Sequence, residues 1–159
     1  YFVSDSNDGA DSSSVTITVT AVNDAPVVNA ATATIAEDVA QQTYPVTTSA
    51  TYASDVESDG LTITTATLSG DTTGSLDSSD GANILYTPSA DFNGTATINY
   101  TLEDDGTTGG IASPLTGSGT LTITVTEVND SPVANAVTDT IAEDAVQQSY
   151  PVTTPSVYA

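Results

Sequence analysis

Lysine, arginine and histidine are absent from these 159 residues, against 21 aspartates and glutamates, so the formal net charge is −21 with nothing inside the chain to neutralise it. Cations must come from the surroundings. A field of that sign repels phosphate backbones and anionic lipid, which excludes nucleic acid and bare membrane surface as direct partners, and it attracts divalent metal. Cysteine is absent as well, so no disulfide staples the chain, and without lysine no Lys–Asn isopeptide cross-link can form. The same gaps remove His- and Cys-dependent nucleophilic triads and the Ser–Lys dyad. Two carboxylates are enough for glycoside hydrolysis in principle, yet no Arg, His, Lys or Trp is present to bind and orient a sugar. The chain reads as a non-enzyme. No stretch approaches the roughly 20 apolar residues that span a bilayer. No signal peptide stands at Tyr1, which says nothing about secretion in a chain that opens inside a repeat.

What is present is a repeat. Val22-Asn23-Asp24-Ala25-Pro26 returns 106 positions later as Val128-Asn129-Asp130-Ser131-Pro132, and Thr34-Ile35-Ala36-Glu37-Asp38 returns in register as Thr140-Ile141-Ala142-Glu143-Asp144. Gln41-Gln42-Thr43-Tyr44-Pro45-Val46 is echoed by Gln147-Gln148-Ser149-Tyr150-Pro151-Val152. A fixed period of this kind outranks other sequence signals. It divides the chain into the C-terminal strands of a preceding repeat (1–24), one complete repeat (25–130) and the N-terminal part of a following one (131–159). The flanks hold 24 and 29 residues, half of one period, so neighbouring copies cannot splice them into a whole unit and a longer parent protein is expected.

Acidic composition can signal disorder, but the 38% of hydrophobic residues fall in alternating runs. Val15-Thr16-Ile17-Thr18-Val19-Thr20 and Leu121-Thr122-Ile123-Thr124-Val125-Thr126 have the period of two of half-buried strands, equivalent elements one period apart. Within the complete repeat, strands are predicted near 31–36, 42–47, 61–67, 74–77, 83–87, 96–102 and 119–127. Asp59-Gly60, Ser69-Gly70, Asp80-Gly81, Asn93-Gly94 and Asp105-Gly106 supply turns between them. Short strands at intervals of about 8–12 residues imply an all-β fold, a seven-stranded antiparallel β-sandwich. Its predicted core is Ile35, Val46, Leu61, Ile63, Leu85, Phe92, Ile98, Tyr100, Leu102, Leu121, Ile123 and Val125. Tyr52 and Tyr158, beside acidic loops, are candidates for exposure.

The acids gather at Asn23-Asp24, Glu37-Asp38, Asp55-Val56-Glu57-Ser58-Asp59, Glu103-Asp104-Asp105 and Asn129-Asp130, most of them at strand ends. A sandwich collects its loops at two poles, so clusters distant in sequence can converge. Converging carboxylates repel unless a cation sits among them. Hard oxygen donors, with no soft ligand for zinc or copper, point to Ca²⁺. The alternative is a solvated acidic surface of the halophilic kind, but that would spread acids along strand faces, which here carry threonine. Asp59 reads equally as a ligand or as the turn former of Asp-Gly. The sequons at Asn93, Asn99 and Asn129 are what chance supplies in a threonine-rich chain.

On these residues the chain resembles the cadherin-like tandem repeats of large bacterial surface proteins and calcium-dependent adhesins. The likeness rests on Val-Asn-Asp-x-Pro at each boundary, on Ile35-Ala36-Glu37-Asp38, and on Asp55-Val56-Glu57-Ser58-Asp59-Gly60-Leu61. Tyr86-Thr87-Pro88-Ser89-Ala90-Asp91-Phe92-Asn93-Gly94 and Tyr100-Thr101-Leu102-Glu103-Asp104-Asp105-Gly106 complete it. The resemblance implies Ca²⁺ at inter-repeat junctions: Asn23 and Asp24 meeting Asp55, Glu57 and Asp104 at one pole, Glu37 meeting Asn129 and Asp130 at the other. Ala21 and Glu127 stand at the first acid position of the fuller cadherin linker, and Ala25 and Ser131 replace its second Asn, which implies fewer ions per junction. The function so implied is a Ca²⁺-rigidified extender of a secreted or cell-surface adhesin or fibre, with neighbouring repeats of the same chain as partners. A segment of a self-assembling extracellular filament with lateral copies, or a glycan-binding or homophilic module, is the alternative.

Overall fold

The computed structural model describes residues 1–71, 73–134, 136 and 138–149, and the chain divides into two compact units, Tyr1–Val128 and Asn129–Ala159. Tyr158 lies outside the described residues. The strands in chain order are β1 (Phe2–Ser4), β2 (Ala10–Ser12), β3 (Val27–Val28), β4 (Ala31–Ala36), β5 (Gln42–Tyr44), β6 (Ala53–Ser54), β7 (Leu61–Ser69), β8 (Ser75–Asp77), β9 (Ile84–Thr87), β10 (Gly94–Asp104), β11 (Thr107–Thr108), β12 (Ile111–Ala112) and β13 (Thr116–Thr126). No helix occurs among the described residues. The described part of the second unit contains no strand, only local contacts such as the turn in which Ala145 N donates to Ala142 O at 3.1 Å.

A four-stranded sheet in the order β4-β13-β10-β7 and a three-stranded sheet in the order β5-β9-β8 carry the core, with the short β3-β6 ladder beside them. On β10 the even-numbered residues Ala96, Ile98, Tyr100 and Leu102 point inward and are buried, and Leu121, Ile123 and Val125 do the same on β13. Each fully buried Ile or Leu contributes about 1.5–3 kcal/mol. The odd-numbered Thr95, Asn99 and Thr101 face outward, beside Thr124, Thr120 and Ser118 of β13.

Strand β7 needs a device to keep its apolar residues on one face. Leu61 and Ile63 are odd-numbered whereas Ala66 and Leu68 are even-numbered, and all four pack on the core. A register shift between Thr101 and Leu102 of β10, opposite the extra residue Thr64, reverses the phase. One added residue in a strand swaps its faces, which is what a β-bulge provides.

Three sequence expectations are corrected. The sandwich is not wholly antiparallel, because β13 and β4 run parallel, pairing Leu121 with Ala31 through Thr126 with Ala36. The linker delivers the chain to the pole where β13 also begins: Gly109 N donates to Ala21 O at 3.1 Å, and the Asn23 amide to Ser113 O at 2.9 Å. Two strands leaving one pole must run parallel. Leu85 is only half-buried, and Ile84 and Tyr86 occupy the core instead. Three consecutive apolar residues leave the phase of alternation undetermined, and a buried carboxylate that receives the Tyr86 hydroxyl fixes it. Residues 15–20, finally, form no strand, and Val15, Ile17 and Val19 are exposed. Their counterparts at 121–126 gain order by pairing with 94–104 and 31–36.

The carboxylate that sets the phase of β9 is Asp71, 1% exposed. Its Oδ2 accepts from Tyr86 Oη and Ser89 N, both at 2.9 Å, and its Oδ1 from Ser89 Oγ at 2.6 Å and Gly74 N at 2.8 Å. Burial raises its pKa, but the bonds from Ser89, Tyr86 and Gly74 outweigh that and hold it below the ordinary aspartate value. Asp71 ties the turn after β7 to the strand that crosses to the second sheet.

Candidate metal centre

At the pole where the linker enters, three segments arrive for separate reasons. Asp104 is the last residue of the inward row of β10, so the alternation that buries Leu102 buries its carboxylate too, 3% exposed. The loop 55–59 follows β6 directly and folds around its own first side chain. Asp55 Oδ1 accepts from Glu57 N at 3.0 Å and Asp59 N at 3.2 Å, an Asx turn of the kind these residues favour. Asn23 comes in from the linker, 5% exposed, with its backbone N held by Thr108 Oγ1 at 3.1 Å.

The hydrogen bonds orient these groups. Asn23 Nδ2 donates to Asp104 Oδ1 and to Ser113 O, both at 2.9 Å, which fixes its amide and turns Oδ1 the other way. Asp104 Oδ1 also accepts from Leu115 N at 3.0 Å and Gly106 N at 3.1 Å, leaving Oδ2 to point elsewhere. Asn23 Oδ1, Asp55 Oδ2 and Asp104 Oδ2 are all buried and receive no hydrogen bond. A buried acceptor without a partner costs about 1–3 kcal/mol, more when charged, so three at one pole call for something that satisfies them together.

Gly106 allows a close approach. A Cβ at this position would run into Asn23 Oδ1 and come within 2.5 Å of Asp59 Oδ2, so only glycine lets those two oxygens pack against the backbone here. One carboxylate oxygen each from Asp55, Glu57 and Asp59 lies within 4.8 Å of the others. Asp105 joins from the turn, its Oδ1 accepting from Gly60 N at 2.7 Å. Crowding is felt most at Asp59, whose pKa is raised first by desolvation and then by the charges of Asp55, Asp105, Asp104 and Glu57. Asp104 moves the opposite way: burial raises its pKa, but the bonds from Leu115, Asn23 and Gly106 prevail and hold it low. Nothing basic exists in the chain to neutralise such a group.

The unit spanning this pole is recognised as a whole: the family model described as a cadherin-like domain matches residues 22–126. The chain belongs to the cadherin-like domain family. No curated protein and no solved structure matches it. Cadherin-like domains are extracellular adhesion or structural modules, and theirs is a non-enzymatic fold. The matched span opens at Val22, so Asn23 and Asp24 belong to the cadherin-like unit along with the carboxylates they approach.

Of the residues singled out in the sequence, Asn23, Asp55, Glu57, Asp59 and Asp104 come together at this pole of the cadherin-like domain. Asp24 is exposed, and its backbone N reaches Glu57 Oε2 at 3.4 Å. Glu37 lies at the opposite pole, 4% exposed, where Oε1 accepts from Val128 N at 2.6 Å while Oε2 is buried without a partner. Asn129 and Asp130 belong to the second unit, in which Asn129 Nδ2 donates to Asp130 O at 3.3 Å. Sequence reasoning counted Asp105 in the acidic run Glu103-Asp104-Asp105 and Asp105-Gly106 as a turn, but named neither residue among the ligands. The signal was present in the run Glu103-Asp104-Asp105-Gly106, where a second acid follows the last inward residue of the strand.

Proposed function

We propose that this cadherin-like unit is a Ca²⁺-rigidified extender of an extracellular adhesin or fibre, with the ion held where the linker meets the loops of the unit. The observation that carries the reading is the set of buried, partnerless oxygens on Asn23, Asp55 and Asp104 at the linker pole, with Asn23 Oδ1 and Asp59 Oδ2 both lying against Gly106. Those atoms, with Asp59, Glu57 and Asp105 next to them, fit a hard cation that takes six to eight oxygens in flexible geometry. The ion would supply positive charge among carboxylates that otherwise repel one another, and with it a link between the linker and two loops. The residues do the remaining work: Asn23 fastens the linker to Asp104, the Asx turn at Asp55 sets the loop, and Gly106, lacking a Cβ, lets the Asn23 amide and the Asp59 carboxylate approach. Neighbouring repeats of the same chain are the partners such a junction would align.

Hydrogen exchange on the whole chain tests this reading. With Ca²⁺ at a hundred times its Kd, opening of the pole carries about 2.7 kcal/mol of extra cost. The Asn23 and Gly106 amides are expected to exchange about 100-fold more slowly, while Mg²⁺ leaves them unchanged. Equal exchange at these amides with Ca²⁺ and with chelator would reject a site at this pole.

A further inference from the structure

The connection between β10 and β13 at the linker pole is longer in the complete unit than in residues 1–24, read as the end of a preceding repeat. Counted back from the equivalent Val15 and Leu121, Ser12 corresponds to Ser118, and the residues they pair with, Phe2 and Thr101, correspond as well. Between Phe2 and Ser12 the chain turns at once, with Asp5 Oδ1 accepting from Asn7 N at 2.8 Å and from Gly9 N at 2.9 Å. The complete unit inserts the β11–β12 hairpin instead. Thr107 pairs with Ala112 and Thr108 with Ile111, and Gly109 and Gly110 close the turn at φ of 60° and 81°, the left-handed values that a two-residue hairpin loop of type I′ requires. Its base is fastened where Ser113 N donates to Gly106 O at 2.9 Å. Ile111 is 75% exposed, so ordering this hairpin costs conformational entropy with no return from the core. What it touches is the linker: Gly109 N donates to Ala21 O, and Asn23 N to Thr108 Oγ1, both at 3.1 Å. Among the described residues the segment 14–22 has no other hydrogen bond, and Val15, Ile17, Val19 and Val22 along it are exposed.

We infer that the β11–β12 hairpin is a clasp for the last segment of the preceding repeat, holding the chain that arrives through Ala21 against this unit without calcium. The span matched as a cadherin-like domain opens at Val22, so the bond to Ala21 reaches beyond the domain that supplies it. Bonds to alternate residues, Ala21 and Asn23, fix the direction of the backbone between them as well as its position. The groups involved are two amides, a carbonyl and a hydroxyl, none of them charged, so chelation takes nothing from the contact and salt does not screen it. The carboxylates beside it repel one another when no cation is present, whereas the clasp stays closed. The inference goes beyond the calcium reading and stands without it.

The test uses the whole chain, with Ca²⁺ and in chelator. Thr20→Cys with Thr95→Cys places two spin labels at exposed positions of a chain that has no cysteine of its own, and pulsed electron resonance reads the distance between them. One narrow distribution is expected with the ion and without it. Replacing Thr108-Gly109-Gly110-Ile111 by Asn-Gly, a two-residue turn that the paired Thr107 and Ala112 accept, should lose that peak to a broad distribution in chelator, with circular dichroism unchanged. The milder Thr108→Val removes one acceptor, and exchange of the Asn23 amide in chelator should quicken about fivefold, the worth of one neutral hydrogen bond. A wild-type distribution that is broad in chelator and narrow only with Ca²⁺ would overturn the clasp and leave the ion alone to hold the linker. A narrow distribution in the shortened variant, or unaltered Asn23 exchange in Thr108→Val, would overturn it as well. Absence of any Ca²⁺ response would count against the ion site and not against the clasp, which the chelator arms decide.

Discussion

Asp104→Asn is expected to abolish the calcium response of the chain while leaving the calcium-free protein as stable as before, or more so. The side chain has two oxygens with different duties. Oδ1 holds Asn23 Nδ2, Leu115 N and Gly106 N, and an asparagine carbonyl can keep all three. Oδ2 is buried without a donor among other carboxylates, and an amide there replaces an unpartnered acceptor by two N–H donors beside Asp59, whose pKa the charge of Asp104 helps to raise. Repulsion falls and the ion loses a charged ligand. The affinity for Ca²⁺, read by isothermal titration, should drop about a hundredfold, or about 2.7 kcal/mol. Asp104→Ala loses both duties and should lower the melting temperature even without calcium. Unaltered affinity in Asp104→Asn would remove this residue from the site.

Asp71→Ala should be strongly destabilising although it lies outside the linker pole, by about 3–4 kcal/mol in urea unfolding. The substitution strands the buried Tyr86 hydroxyl and the groups of Ser89 and Gly74 that now share one carboxylate. Each bond to a charged partner is worth about 1.5–3 kcal/mol and they are not additive. A domain of this size has only about 5–15 kcal/mol to lose. The effect should also depend on acid. The folded pKa of Asp71 is lowered, so the folded state binds its proton less readily than the unfolded chain. Its contribution is therefore complete above the unfolded value near 3.9 and fades as pH falls from there through the folded pKa. The gap between wild type and Asp71→Ala should narrow as pH falls below about 3.9, and a gap that stays constant through acid would show that the carboxylate's charge is not what stabilises the turn.

Why Asp104 was legible from sequence and Asp71 was not is a matter of pattern. Asp104 stood in the acidic run just past the expected strand 96–102 and in a motif of the resemblance, and its burial is explained by the alternation that the structure carries on from Ala96. Asp71 sits among Gly, Ser and Thr after β7, where no periodicity separates a buried turn acid from the solvated ones at Asp77 and Asp80. The strands near 31–36, 61–67 and 96–102 followed from alternation and turn residues, whereas the short ladders β3-β6 and β11-β12 carry no such pattern. The bulge at Thr64 and the phase of Ile84-Leu85-Tyr86 did not, because both depend on pairing with residues far along the chain. The parallel placement of β4 was hidden for the same reason: strand direction depends on where the linker arrives, and that depends on Asn23 meeting Asp104 and Ser113.

Calcium selectivity at the linker pole is the claim on which the rest depends. The most direct test is thermal unfolding of the whole chain titrated with Ca²⁺, with Mg²⁺ and with chelator, alongside Asp55→Asn combined with Glu57→Gln. Mg²⁺ demands a tighter octahedral shell and gives up its water reluctantly, so a loop-built cluster of oxygens should discriminate against it. A rise in the melting temperature with Ca²⁺, larger than with Mg²⁺ and absent in the double variant, is the expected result. An equal rise with either ion or with added NaCl, retained in the double variant, would mean that salt only screens an acidic surface, and would contradict a calcium-held junction.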